Sequence, residues 1–169
     1  DYASAAENST YCFDIRCGDA SDKYVLLARG LFTFDTSSLT SGATISGAVL
    51  SLCGYAKADT LSATGDCDIY TSAPAANNNL AAGDFDSLGS TSQTGSATTY
   101  ANLLVDGSTY NDFTFNATGI ANVSKTGISK FGTRNANYDV ANSAPTWSST
   151  GRNYWRVFAS DYGSYKPKL

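Results

Sequence analysis

The chain contains no histidine and no methionine. Without histidine it lacks the commonest general base and the commonest metal ligand, and no Ser/His or Cys/His catalytic pair can form. Without methionine the sequence as given has no initiator residue: either a leader was removed or the start is not included, and no signal-peptide pattern remains to decide. Glu7 is the only glutamate among 15 acidic residues, so the helix-favouring Glu and Lys are both scarce. No apolar run approaches the roughly 18–20 residues that a membrane-spanning helix needs. The 11 cations are scattered and the net charge is −4, which argues against a nucleic-acid partner and against a polybasic membrane contact. The expectation is no nucleic acid, no membrane, no metal and no cofactor.

Short polar residues are abundant instead. Ser, Thr, Asn and Gly number 22, 19, 12 and 15 in 169 residues. Their side chains compete with helix hydrogen bonds and favour turns and strand ends. The 11 Tyr, 8 Phe and 2 Trp suit a pleated surface. The fold class expected is all-β: a single jelly-roll-like β-sandwich with one short helix. Residues 1–10 are small and polar and read as an N-terminal arm, leaving 11–169 as the sandwich domain. At this length one domain is expected.

Lys23 to Asp35 (KYVLLARGLFTFD) is strongly apolar and reads as a buried strand bent at Gly30. Ala43 to Ala56 reads as a second long strand with Ala48, Leu50 and Leu52 on one face, and Asp66 to Thr71 as its hairpin partner. Ser72 to Thr99 is too polar to hold a core and reads as an extended loop anchored by Phe85 and Leu88. Strand character resumes at Tyr100–Val105, Asn111–Phe115, Ile128–Arg134, Asn153–Ser160 and Tyr165–Leu169. Asn116–Lys125 is the helix candidate, capped by Asn116 or Thr118, with Ile120 and Val123 on one face. In all, about eight to ten strands are expected.

All four cysteines, Cys12, Cys17, Cys53 and Cys67, lie in the first 67 residues, with spacings that do not match a zinc site. An even count in a Ser/Thr/Asn-rich chain favours disulfides and an oxidising exterior. Three connectivities are open. The local pairs Cys12–Cys17 and Cys53–Cys67 are preferred, although strand parity places Cys12 on the face opposite Cys17, which would keep that pair open in a straight strand.

Residues suited to catalysis or metal binding are few. The Asp66/Asp68 and Asp84/Asp86 pairs are the number of carboxylates a glycosidase uses, but they read as solvated surface. Asp19 and Asp22 form a weak calcium candidate that reads as a simple turn. Arg29, inside an apolar run, calls for a buried or half-buried ion pair with an acid such as Asp35. Of the late aromatics, Trp155 reads as core, whereas Tyr138, Trp147 and Tyr162 are the candidate ligand-contacting residues, able to stack on sugar rings if exposed and coplanar.

Two blocks carry a resemblance. Arg29-Gly30-Leu31-Phe32 through Asp35-Thr36-Ser37-Ser38-Leu39, followed by Ala43-Thr44-Ile45 to Leu52, resembles a block of the DNRLRE-type β-sandwich family. Phe115-Asn116-Ala117-Thr118-Gly119 through Lys125 to Gly132 is similar to that family's helix-containing block. Asp139 to Trp147 and the terminal Pro167-Lys168-Leu169 also resemble relatives in tailed-phage and environmental viral genomes. The signature that names the family is not present, and the resemblance implies a further apolar strand past Leu169. It implies a non-catalytic jelly roll of the kind used in virions, secreted bacterial proteins and carbohydrate-binding modules.

The expected function is therefore a non-enzymatic structural surface protein. The leading form is a tailed-phage virion component: a capsid decoration, fibre or tail-attached subunit on the virion surface or outside the cell. Its partners would be other structural subunits in many copies, met through the arm and a free terminal strand. A carbohydrate-binding module that takes a glycan, and a subunit of an extracellular filament, are the alternatives.

Overall fold

The computed structural model describes residues 9–169, and the molecule is all-β. Its strands are β1 (Ser9–Cys17), β2 (Tyr24–Asp35), β3 (Val49–Asp59), β4 (Cys67–Thr71), β5 (Tyr110–Thr114), β6 (Ile128–Asn135) and β7 (Arg152–Phe158). They form one antiparallel sheet in the order β4-β6-β2-β1-β7-β3-β5. Two long strands change partners partway along and fold this sheet into a sandwich. β2 pairs with β1 from Tyr24 to Arg29 and with β6 from Gly30 to Asp35. β3 pairs with β5 from Val49 to Cys53 and with β7 from Gly54 to Asp59.

Glycine stands at each change of partner because nothing larger fits. A Cβ on Gly30 would lie 2.4 Å from the Thr133 hydroxyl, and one on Gly54 would lie 1.8 Å from the Leu104 carbonyl oxygen. Between the layers lies the main core of Phe13, Leu50, Leu52, Ile69, Phe113, Phe131, Trp155 and Val157, with Cys12 and Cys67 among them. Leu50 and Leu52 share the buried face of β3, and Ala48 packs beside them, as the alternation predicts. Burying one such Leu or Phe contributes about 1.5–3 kcal/mol.

The helix is present but short. α1 spans Ala117–Ala121, and the Asn116 side chain accepts the Gly119 N–H at 2.9 Å. Val123 is buried and Ile120 packs against the core. The long polar loop is anchored as expected: Leu88 is buried, and Phe85 lies in a turn of 3-10 geometry, Ala82–Ser87.

Several expectations are corrected. β4 pairs with β6, not with β3, because the Leu61–Asp66 segment carries the chain from one layer to the other. Tyr100–Val105 is not a strand. Its main chain is taken by side chains: Asp66 accepts the Tyr100 N–H, and Asn111 both accepts from Leu104 N–H and donates to Leu104 C=O. Ser9 and Thr10 are not arm residues, for they pair with Phe158 and Val157. The rest of the arm, 1–8, lies outside the described residues. The C-terminal segment is not free either, since Lys168 exchanges main-chain hydrogen bonds with Ser51 and Leu169 packs on the core.

The local disulfides are corrected too. No disulfide joins any of the four cysteines in this structure. Cys12 and Cys17 are five residues apart on one strand, about 16 Å at strand rise, far beyond the roughly 7 Å that a disulfide tolerates between Cα atoms. Cys53 faces Tyr110 of β5 in register while Cys67 faces Asn135 of β6, so the hairpin that would have joined them does not exist.

The close approach at the second corner gives a direct test. Gly54→Ala drives a Cβ into main-chain oxygen and is expected to lower unfolding free energy by about 2–3 kcal/mol. Gly42→Ala, whose Cβ meets nothing within 4 Å, is expected to stay within about 0.5 kcal/mol of the parent. Urea denaturation of the two variants measures the difference.

Candidate functional site: a corner of charge and an uncovered strand edge

The unusual charge in β2 finds its partner 110 residues away. Arg29 pairs with Asp139, not with Asp35, whose carboxylate instead accepts from the Ser37 N–H and hydroxyl. Asn135 sets this up. Its side-chain oxygen accepts the N–H groups of Asn137 and Tyr138, starting the helical turn Ala136–Val140 that holds Asp139 over the sheet. Arg29 then donates to both carboxylate oxygens at 2.8 and 2.6 Å, and Arg134 to the same two at 2.9 and 2.8 Å. The Asp139 side chain is 2% exposed and each arginine 10%.

The remaining donors reach outward from this triad. Arg29 donates to the Phe85 carbonyl at 2.7 Å and lies 3.9 Å over the Phe85 ring, while Arg134 donates to the Gly89 carbonyl at 2.8 Å. One carboxylate thus joins β2, β6 and the 82–89 loop. Burial alone would push the Asp139 carboxyl up, but hydrogen bonds from the two guanidinium groups overcome it and hold the carboxyl below its ordinary value.

Before Gly30, β2 has β1 as its strand neighbour in place of β6. Main-chain pairing with β6 begins at Gly30, so among the described residues Val25 to Ala28 are bonded to β1 alone, as Gly30 to Asp35 are to β6. The loop after residue 141 covers only its start: Tyr24 donates its hydroxyl proton to the Pro145 carbonyl, and the Trp147 indole donates to the Lys23 carbonyl at 3.1 Å. Val25 is 63% exposed, Leu26 37% and Leu27 38%. Neighbouring residues point to opposite faces, so this short stretch is apolar on both faces and open along one edge. The expectation of a uniformly buried strand is therefore correct only for its second half. A groove of about 1070 Å³ runs beside it from Val25 to Phe34, bounded also by Leu80, Phe85, Arg156 and Lys166.

The aromatics singled out from sequence do not converge on one surface. Tyr138 donates to the Ala63 carbonyl at 2.6 Å, and with Trp147 it packs over Cys17, Leu61 and Ala63. Tyr162 lies elsewhere, stacked on Phe158 with ring centroids 4.0 Å apart. Sequence reasoning missed two other groupings. Tyr55, 50% exposed, leans on Phe158, and Tyr165 stacks on the same ring. On the outer face of β7, Arg152 lies over Tyr154 at 4.1 Å, and Arg156 over Tyr11 at 4.6 Å. Their signal was the alternation Arg152, Tyr154, Arg156 in one strand.

Three of the four carboxylates from the candidate pairs serve the backbone. Asp84 accepts the N–H groups of Ala75 and Ala81, Asp68 that of Ile69 together with the Thr94 hydroxyl, and Asp66 that of Tyr100. Among the described residues no three His, Cys, Asp or Glu side chains gather as a metal site would require. No family model, curated protein or solved structure matches this chain.

The triad sets a measurable cost. Asp139→Ala leaves two buried guanidinium groups facing each other and is expected to lower unfolding free energy by about 3–5 kcal/mol in chemical denaturation. The pH dependence follows from the depressed carboxyl. Its contribution is complete above the unfolded value, about 3.9, and is lost as pH falls through the lower folded value. Unfolding curves of Asp139→Asn should accordingly lose less stability than the parent's below about pH 4.

Proposed function

We propose that this chain is a non-enzymatic structural subunit of a surface assembly, in the leading form a tailed-phage virion component such as a capsid decoration, fibre or tail-attached protein. The single observation that carries this reading is the bare edge of β2 at Val25–Ala28. Proteins that work alone blunt such edges with lysine, proline, bulges or a covering loop. Here the residues are Val, Leu, Leu and Ala, and Pro145 and Trp147 stop at Tyr24 and Lys23.

An extended strand laid on that edge would gain a row of main-chain hydrogen bonds and cover apolar side chains on both faces. Each contact of this size is weak alone. Repetition over many copies multiplies it through avidity, which suits a particle or filament better than a one-to-one complex. The resemblance to sandwich proteins of tailed-phage and environmental viral genomes favours the virion over the filament. The absence of histidine supports a role without acid–base chemistry near neutral pH.

A second reading, a carbohydrate-binding module, is favoured by the exposed Tyr55 beside Phe158, Tyr162 and Tyr165. A glycan array separates the two. Retention of a sugar that Tyr55→Ala abolishes would favour this second reading over the first.

The edge itself is tested by charge. The double variant Val25→Lys/Leu27→Lys is expected to melt within a few degrees of the parent, because Val25 is largely in water and a lysine at the partly exposed Leu27 position can carry its charge to solvent along its stem. Its incorporation into particles, counted by quantitative mass spectrometry of the purified assembly, is expected to fall at least about tenfold, a loss of about 1.4 kcal/mol or more per contact. Unchanged incorporation would remove β2 as the docking edge.

A further inference from the structure

Of the four cysteines, the fold brings two together. Cys12 lies on β1 and Cys67 on β4, in different layers, and both are wholly buried in the same core. Burial first, and then the neighbouring Cys12 thiol, push the Cys67 thiol well above its ordinary value. Main-chain geometry fixes the approach independently. The Thr133 hydroxyl of β6 donates to the Cys12 carbonyl at 2.9 Å, and Thr133 stands two residues from Asn135, the register partner of Cys67. Thr133, Asn135 and Cys67 therefore share the inward face of the β4–β6 pair, and Cys12 sits against that face. Cys17 packs in a separate small cluster with Leu61 and Ala63, and Cys53 lies across the sandwich on β3.

We propose that Cys12 and Cys67 become an intrachain disulfide when the chain folds in the presence of a disulfide oxidant of the glutathione class, bonding the first strand to β4 through the core. The Cys12 thiolate attacks one sulfur of glutathione disulfide and releases a glutathione thiolate, leaving a mixed disulfide on Cys12. The Cys67 thiolate then attacks the Cys12 sulfur, and the second glutathione thiolate departs. Two protein thiols are oxidised, one glutathione disulfide is reduced, and the two thiol protons pass to the two released thiolates.

The timing follows from burial. Once the layers close, neither sulfur is reachable, and burial together with the neighbouring Cys12 raises the Cys67 thiol far above its ordinary value, so thiolate is scarce. Exchange belongs to the folding chain. After closure the same burial shields the bond from reductants, and the protein keeps a record of the redox conditions in which it folded. The bond would tie β1, which holds the centre of the sheet, to an edge strand 55 residues later in the sequence.

The test is oxidative refolding of the full chain in a glutathione redox buffer, followed by non-reducing peptide mapping. The expected product is a peptide pair linking Cys12 to Cys67. The double variant Cys17→Ala/Cys53→Ala is expected to keep that link and, once refolded without it under reducing conditions, to melt about 10 °C lower than its oxidised form. Four free thiols after refolding, or a dominant link that uses Cys17 or Cys53, would overturn the proposal. The map of the parent protein decides the pairing even if the double variant does not fold.

Discussion

One carboxylate clasped by two arginines decides how this sandwich turns its corner. Asp139 is nearly inaccessible, and both of its oxygens are engaged by both guanidinium groups. An isolated charge at that depth would be prohibitive, and the triad is tolerable only because the hydrogen bonds are fully matched. Arg29 also holds Phe85, and Arg134 also holds Gly89, so the polar loop over the sheet depends on the same group. The triad stands next to Gly30, where β2 exchanges β1 for β6. A second pair, the buried Asp14 with the half-buried Arg152, performs a similar service between β1 and β7.

The exchange of partners leaves one strand with two characters. From Gly30 onward β2 is bonded to β6 alone and buries Phe32 in the core. Before Arg29 it is an edge, apolar and unblunted. The contrast arises from geometry as well as composition. β6 is held by β4 on its other side through Asn135, while Asn135 also starts the turn that carries Asp139. The chain after β6 therefore leaves the sheet to complete the triad instead of extending along β2, and the residues that would have covered Val25–Ala28 are used elsewhere.

Much of this architecture was legible in residue order. The bend at Gly30, the shared face of Leu50 and Leu52, the Asn116 cap and the Phe85/Leu88 anchors all depend on local spacing, and local spacing is what a sequence displays. What was not legible depends on separation. Nothing near Arg29 announces Asp139, and the nearer Asp35 is drawn to Ser37. The Cys53–Cys67 hairpin looked sound because the two strands are consecutive, but the chain changes layers between them. The YVLL run lacks alternation, a pattern shared by a strand buried on both faces and one exposed on both. Only the position of β6 distinguishes them.

The central claim is that β2 presents an open apolar edge at Val25–Ala28, where β1 is its one strand partner among the described residues. Amide hydrogen exchange along this strand tests it most directly. In the isolated protein, alternate amides from Val25 to Ala28 should exchange as edge amides do, while those of Gly30–Asp35 that bond to β6 stay protected. In the assembled particle the exposed set should become protected, with little change in the second half. Protection of every amide from Val25 to Ala28 in the isolated chain would mean that the edge is already covered, and would contradict the account.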